Sequence, residues 1–325
     1  MISEKKFIIH IFVYSLIFIT CAASAPFIGA TKLSFADILN DSSSIDFSIF
    51  FNQRLPRVLT GILCGAGLSA AGACLQVILK NPLAEPYILG ISGFSALFLC
   101  ISIVVLNSVV PSGIASFAGA LTAVFIIDYT FNAFKGDSGS TILAGVSLNI
   151  LSGSMILFLK YFASPDKLVL VERWFMGSLD ILGYDNLFIL FLLVFGGIIF
   201  VYIFASELNI LGFDSNIAGT RGFDPDKVRR KVFLASGMIA SAVVWIAGPI
   251  GFVGLIIPHI VRQISGNDMK IVLPGSALLG GGFLVLCDIF SRILIAPAEL
   301  PVGIITSVTG SPVFLFILFK MRKKN

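Results

Sequence analysis

Long charge-free apolar stretches, separated by short polar turns, set the pattern of the chain. A helix that crosses a bilayer needs about 20 apolar residues, and on that ruler the sequence divides into ten spans. Phe7–Phe27 is the first and Val58–Leu79 the second. Pro86–Ile127 carries no charge for 42 residues, too many for one helix, and the polar stretch 107–113 (NSVVPSG) divides it into the third and fourth. Thr141–Leu159 and Leu187–Ser206 are the fifth and sixth. Val232–Val261 is again too long, and Gly248-Pro249 and Pro258 predict one full helix followed by a short or broken one. Ile271–Cys287 and Val302–Phe319 complete the set.

Composition says where this apolar surface goes. Only 12% of the residues are charged against 57% hydrophobic, where soluble domains carry about 25% charged. The excess faces lipid, and the expected fold is an all-α polytopic membrane protein forming a single transmembrane domain over residues 1–325. The net charge of +4 is too small and too dispersed for nucleic acid. All five cysteines sit in apolar stretches without a CxxC pair, which reads as small buried hydrophobes. Lys5 and Lys6 followed by an apolar run ending in Cys21-Ala-Ala-Ser-Ala25 have the layout of a signal peptide. Pro26 directly after the small residues is a poor neighbour for a cut, so an uncleaved first span is expected.

Basic residues orient the bundle. With the N-terminus inside, 15 of the 22 Lys and Arg residues fall on inner segments, as the positive-inside rule requires. An even span count keeps the basic C-terminal tail inside as well. Gly61, Gly65, Ser69 and Ala73 recur every fourth residue on the second span, a spacing that lets helix backbones approach closely.

The sequence contains no GxxxxGK[ST] phosphate loop, no HExxH and no GxSxG. His10 and His259 lack companions at ligand spacing, so neither a metal site nor another cofactor is expected. Asp128 and Asp288 are the acids nearest the apolar spans, few for an ion relay. A membrane-embedded enzyme finds no catalytic constellation here.

Four Pro/Gly-rich segments go beyond hydrophobicity. They are 54–57 (RLPR), 80–90 (KNPLAEPYILG), 248–259 (GPIGFVGLIIPH) and 296–303 (APAELPVG). In this order and spacing they resemble the FecCD family of ABC importer permeases, from about Arg54 to the C-terminus. Broken backbone at membrane depth is tolerated only against protein or a water-filled cavity. The segments after spans two and seven occupy corresponding places. An inverted repeat of spans 2–5 and 7–10 is therefore expected, since an offset of five reverses orientation.

The resemblance implies a membrane-spanning subunit that imports an iron chelate, haem or cobalamin. It works as a homodimer with two ATP-binding subunits inside and a substrate-binding protein outside, in a bacterial inner membrane. It implies that Arg54, Arg57 and Arg292 dock carboxylates of the binding protein, six positive charges in a symmetric dimer. Arginine suits this because its planar fork binds carboxylates bidentately; snorkelling to lipid head groups is the plainer alternative. The inner loop Glu207–Lys231 is the expected ATPase contact, with Asp214-Ser215 as a candidate helix N-cap. Ala218 and Gly222 match the family's spacing, whereas Arg221 stands where an apolar residue is usual. Asn81 to Leu83 and the turn around Ser138 are expected to narrow the inner end of the pathway. The segment Glu172–Leu179 resembles the family's short outer helix. An ion-coupled secondary transporter or channel is the alternative from another class; it needs no ATPase.

Overall fold

The computed structural model describes residues 4–29, 31, 33–41, 43–134, 136–180, 183–213 and 222–322. Its described residues are helical and contain no strand. The helices are α1 (Glu4–Ser24), α2 (Phe35–Asn40), α3 (Ile45–Ile49), α4 (Leu55–Ile78), α5 (Ile91–Val104), α6 (Ser112–Ala133), α7 (Ser138–Tyr161) and α8 (Pro165–Phe175). They continue as α9 (Leu187–Ile203), α10 (Ala205–Phe213), α11 (Pro225–Ala247), α12 (Val253–Ser265), α13 (Met269–Ile293) and α14 (Val302–Arg322). Six elements are long and apolar enough to cross a membrane alone: Ile8–Phe27, Ile45–Ile78, Ser112–Ala133, Ser138–Tyr161, Pro225–Ala247 and Met269–Ile293. A seventh is the pair α9 and α10, bent by 61°, and α5, α12 and residues Val302–Ile317 are shorter apolar helices. These elements follow the ten predicted stretches in order.

The short helices follow from the broken segments. A helix of 14 residues rises about 21 Å, less than the roughly 30 Å of hydrocarbon. The remaining depth is covered by Lys80–Gly90 before α5 and by Gly248–Phe252 before α12. Both segments end in left-handed backbone at the helix N-cap, Gly90 at φ 82° and Phe252 at φ 70°. Glycine takes this conformation freely, but Phe252 must be held there. Its N–H donates to the buried Glu85 carboxylate, and its carbonyl accepts from Leu255 and Ile256. Asn149 of α7 donates to the carbonyls of Tyr87 and Ile88, satisfying backbone that no helix serves.

Tight packing follows the small residues. A Cβ on Gly65 would collide with the Gly280 carbonyl of α13, and one on Gly72 with the Gly254 carbonyl of α12. Three boundaries differ from expectation. The fourth span does not stop at Ile127: α6 runs to Ala133, carrying Asp128 inside the helix because Arg230 pairs with it at 3.0 Å. The seventh starts at Pro225, seven positions before Val232, because Asp224 caps it by accepting from Asp226 and Lys227. Pro258 breaks nothing. It sits inside α12, and Gln76 donates at 3.2 Å to the Gly254 carbonyl that Pro258 leaves unserved.

The inverted repeat is visible in the packing. α4 lies along α13, and its counterpart α11 lies along α6. Gly65 of α4 faces Leu284, and Gly237 of α11 faces Val124, which precedes Leu284 by 160 positions. α1 packs on α13 whereas α9 packs on α4 and α11, so the first and sixth spans stand outside the symmetry.

Candidate functional site

One end of the bundle holds a cavity of about 1030 Å³ lined by Arg54, Arg57, Arg173, Arg292, Asp180 and Glu299, with Trp174 on its wall. The chain delivers these groups from four places. A π turn, Phe50–Arg54, joins α3 to α4 and carries Arg54 at its end; such turns re-aim side chains near functional sites. Arg57 follows one turn later on α4, Arg292 lies in the last turn of α13, and Arg173 in the last turn of α8.

The three predicted arginines do converge, but they are not free surface charges. Arg57 is 8% exposed and pairs with Asp288 at 2.8 Å and Glu299 at 2.5 Å. Arg292 is 3% exposed, pairs with Asp288 at 3.1 Å, and donates to the carbonyls of Ala25 and Ile28. Arg54 donates to the carbonyls of Pro26 and Thr31 and to the Thr31 hydroxyl. Its guanidinium passes directly over Gly29, where any Cβ would touch it at 2.9 Å. Within the chain, Arg57 and Arg292 therefore already hold carboxylate partners. Burial forces each guanidinium to find in-chain acceptors, so Asp288 and Glu299 neutralise part of the cluster. Asp288 and Glu299 lie more than 230 positions from Arg57 in the chain, and no local spacing announces them.

Arg173 was missed as a site residue. It is exposed, lines the cavity and, among the described residues, has no ion-pair partner. The signal was its place in the expected short helix, whose bounds also shift: α8 ends at Phe175, and Met176, Ser178 and Asp180 beyond it line the cavity. Trp174 is half-buried against Phe175 and the α5 core.

At the opposite end, Asn81 accepts from the Leu83 N–H at 2.8 Å, which fixes the turn and leaves the Leu83 side chain exposed. Ser138 opens α7, where Asp137 caps the helix by accepting from Ser140 at 2.7 Å. These bonds hold the exposed Asp137 carboxyl below the usual carboxylate range. A second cavity of about 350 Å³ lies between the Lys80–Pro82 turn, α10 and the start of α13. Asn209 of α10 ties this region together by donating to Asp268 and accepting from the Met269 N–H. Asp214, Ala218 and Arg221 lie outside the described residues. Gly222 takes left-handed backbone at φ 83°, and the predicted loop Glu207–Lys231 is helical at its two ends, in α10 up to Phe213 and in α11 from Pro225. No cluster of metal-ligating side chains occurs among the described residues.

The family model of the FecCD transport family matches residues 15–320. The chain belongs to that family. It is 38% identical over 285 residues to an uncharacterized ABC transporter permease, YvrB of Bacillus subtilis (strain 168), covering 85% of this chain and 80% of that protein. It is 34% identical over 318 residues to the hemin transport system permease HmuU of Yersinia pestis, covering 95% of each. A solved inward-facing structure of a protein assigned as a metal-chelate type ABC transporter superposes with a TM-score of 0.86 at 29% identity, covering 95% of this chain and 98% of that one. This FecCD chain is therefore a multi-pass membrane permease subunit of an ABC importer.

Proposed function

We propose that the chain imports a metal chelate such as hemin or an iron siderophore, or cobalamin, across a bacterial inner membrane. Two copies enclose the path, and both termini face the cytoplasm. Two ATP-binding subunits sit on the inner face, against the loop that includes Asp214, Ala218, Arg221 and Gly222. A substrate-binding protein sits on the outer face, at the arginine-lined cavity. The turns at Asn81, Leu83 and Ser138 narrow the inner end. The chain itself hydrolyses nothing.

The observation that carries this reading is the cavity of about 1030 Å³ with Arg54, Arg57, Arg173 and Arg292 on a FecCD scaffold. A carboxylate from the binding protein would enter it, meet Arg173 first and then compete with Glu299 for Arg57. Charge reversal at Arg57 or Arg292 is a poor test, because a glutamate there would face buried Asp288. Arg173→Glu is the fold-sparing variant. In the purified permease–ATPase complex it should weaken capture of the binding protein, increasingly so at low salt. Thermal stability should be unchanged. Unaltered capture across salt concentrations would remove the cavity from the docking surface.

A further inference from the structure

The cavity of about 350 Å³ at the inner end carries charge of one sign. Two cations line it, Lys80 and Arg262, together with the amide side chains of Gln76, Asn81, Asn209 and Asn267. No acid is among its lining residues. Glu207 and Asp268 adjoin lining residues in the chain but do not line it, and Asp268 is taken up by capping α13 and by Asn209.

Arg262 is half-buried in the last turn of α12 and is fixed from α4. It donates to the Gln76 amide oxygen and, at 3.0 Å, to the Ala73 carbonyl. Gln76 is 5% exposed and in turn donates to the carbonyls of Gly254 and Leu255, at 3.2 and 3.3 Å. The acceptors around Arg262 are thus neutral. Unlike Arg57, Arg230 and Arg292, it has no carboxylate partner among the described residues. A guanidinium drawn from water without a counter-charge keeps a desolvation penalty that an arriving anion would offset. The planar donor fork suits a phosphate, which it can take bidentately. Lys80 ends α4 in left-handed backbone at φ 45°, where glycine is the usual residue. Two bonds hold it there, from its own N–H to the Val77 carbonyl and from the Asn81 N–H to the Gln76 carbonyl. Its side chain is exposed and has no ion-pair partner among the described residues.

Leu208, Asn209 and Gly212 of α10 form one wall of the cavity. α9, which runs into α10, exposes Phe195, Ile199, Phe200 and Ile203, side chains suited to lipid. The cavity therefore lies beyond the inner end of a lipid-facing helix, at head-group depth. Basic pockets between transmembrane helices on the cytoplasmic side are the setting in which anionic head groups bind. We propose that this cavity binds the phosphate of an anionic phospholipid of the inner leaflet, with Arg262 as the anchoring donor and Lys80 at the mouth. The inference uses the inward orientation of this end but not the ATP-binding partners, so it can fail while the importer reading stands.

The test uses the full-length permease, purified in detergent and stripped of lipid. Native mass spectrometry during titration reads the affinity of the first lipid bound per chain. Phosphatidylglycerol should bind more tightly than phosphatidylcholine. Arg262→Gln should weaken phosphatidylglycerol about ten-fold or more, the loss of a charged hydrogen bond. Lys80→Gln should weaken it about five-fold, the loss of one cation near the membrane surface. Lys227→Gln removes an exposed inner cation outside the cavity and should leave the affinity unchanged. Arg262→Gln also breaks the bonds to Gln76 and Ala73, so Lys80→Gln, at an exposed side chain, keeps the test alive should that variant misfold. Millimolar inorganic phosphate should not displace the lipid; displacement would make free phosphate the occupant and overturn the lipid assignment. Equal affinity in the parent and Lys80→Gln, or an equal loss in Lys227→Gln, would overturn the site.

Discussion

Gly65 and Gly72 each face a backbone carbonyl of another helix at a distance no Cβ could share. Backbone yields less readily than a side-chain tip, so Gly65→Ala and Gly72→Ala should each destabilise by about 1–3 kcal/mol through overpacking. Gly153→Ala has nothing within 4 Å of the new Cβ and should be neutral or stabilising by up to about 1 kcal/mol, the helix preference of alanine over glycine. Thermal unfolding of the three purified variants compares them directly. The spacing Gly61, Gly65, Ser69, Ala73 was legible in the sequence; the partners Gly280 and Gly254 were not, since nothing local names the opposing helix. The arginines divide in the same way. The family resemblance picked out Arg54, Arg57 and Arg292, but the fold supplies what buries them: acids for Arg57 and Arg292, backbone carbonyls for Arg54. Removing one partner of a buried pair leaves an uncompensated charge, at a cost of about 3–5 kcal/mol. Arg57→Ala should therefore lower stability as well as import, which separates it from Arg173→Glu.

Among the elements, apolar spans were easy to place and their ends were not. α6 and α11 extend past the apolar ruler because a charge inside a helix is tolerated once it has a partner, as Asp128 has in Arg230. Asp224 and Asp137 start α11 and α7 by capping, and accepted hydrogen bonds hold both exposed carboxyls below their ordinary range. Their contribution is complete above the unfolded carboxylate value near 3.9. It is lost only as pH falls through the lower folded values. Amide exchange at Ser140 should thus show the same protection factor from pH 5 to pH 8. Asp137→Ala should lose that protection across the range, and Asp137→Asn should keep it, because its amide oxygen still accepts. A protection factor that declines between pH 8 and pH 5 would mean another group caps α7. Pro258 shows the opposite error: proline predicted a break, but Gln76 serves the freed carbonyl and α12 continues.

For the whole molecule, the charge-free ruler recovered the order of the spans because lipid leaves so little freedom in sequence. The repeat was legible as two corresponding proline-rich breaks. Its register emerged only when α6 and α13 could be laid against each other through Val124 and Leu284. Sidedness rests on the basic residues of the inner segments, so reporter fusions at Asn325 and near Asp41 should signal from opposite sides. The proposed function requires ATP-hydrolysing partners, rather than an ion gradient, to drive this permease. Uptake of a labelled metal chelate such as hemin into proteoliposomes addresses it most directly. The liposomes hold the permease, its ATP-binding subunits and the binding protein. Uptake should require ATP on the subunit side, persist when ionophores collapse proton and sodium gradients, and vanish without the ATP-binding subunits. Uptake by the permease alone that follows an imposed ion gradient would make it a secondary carrier instead.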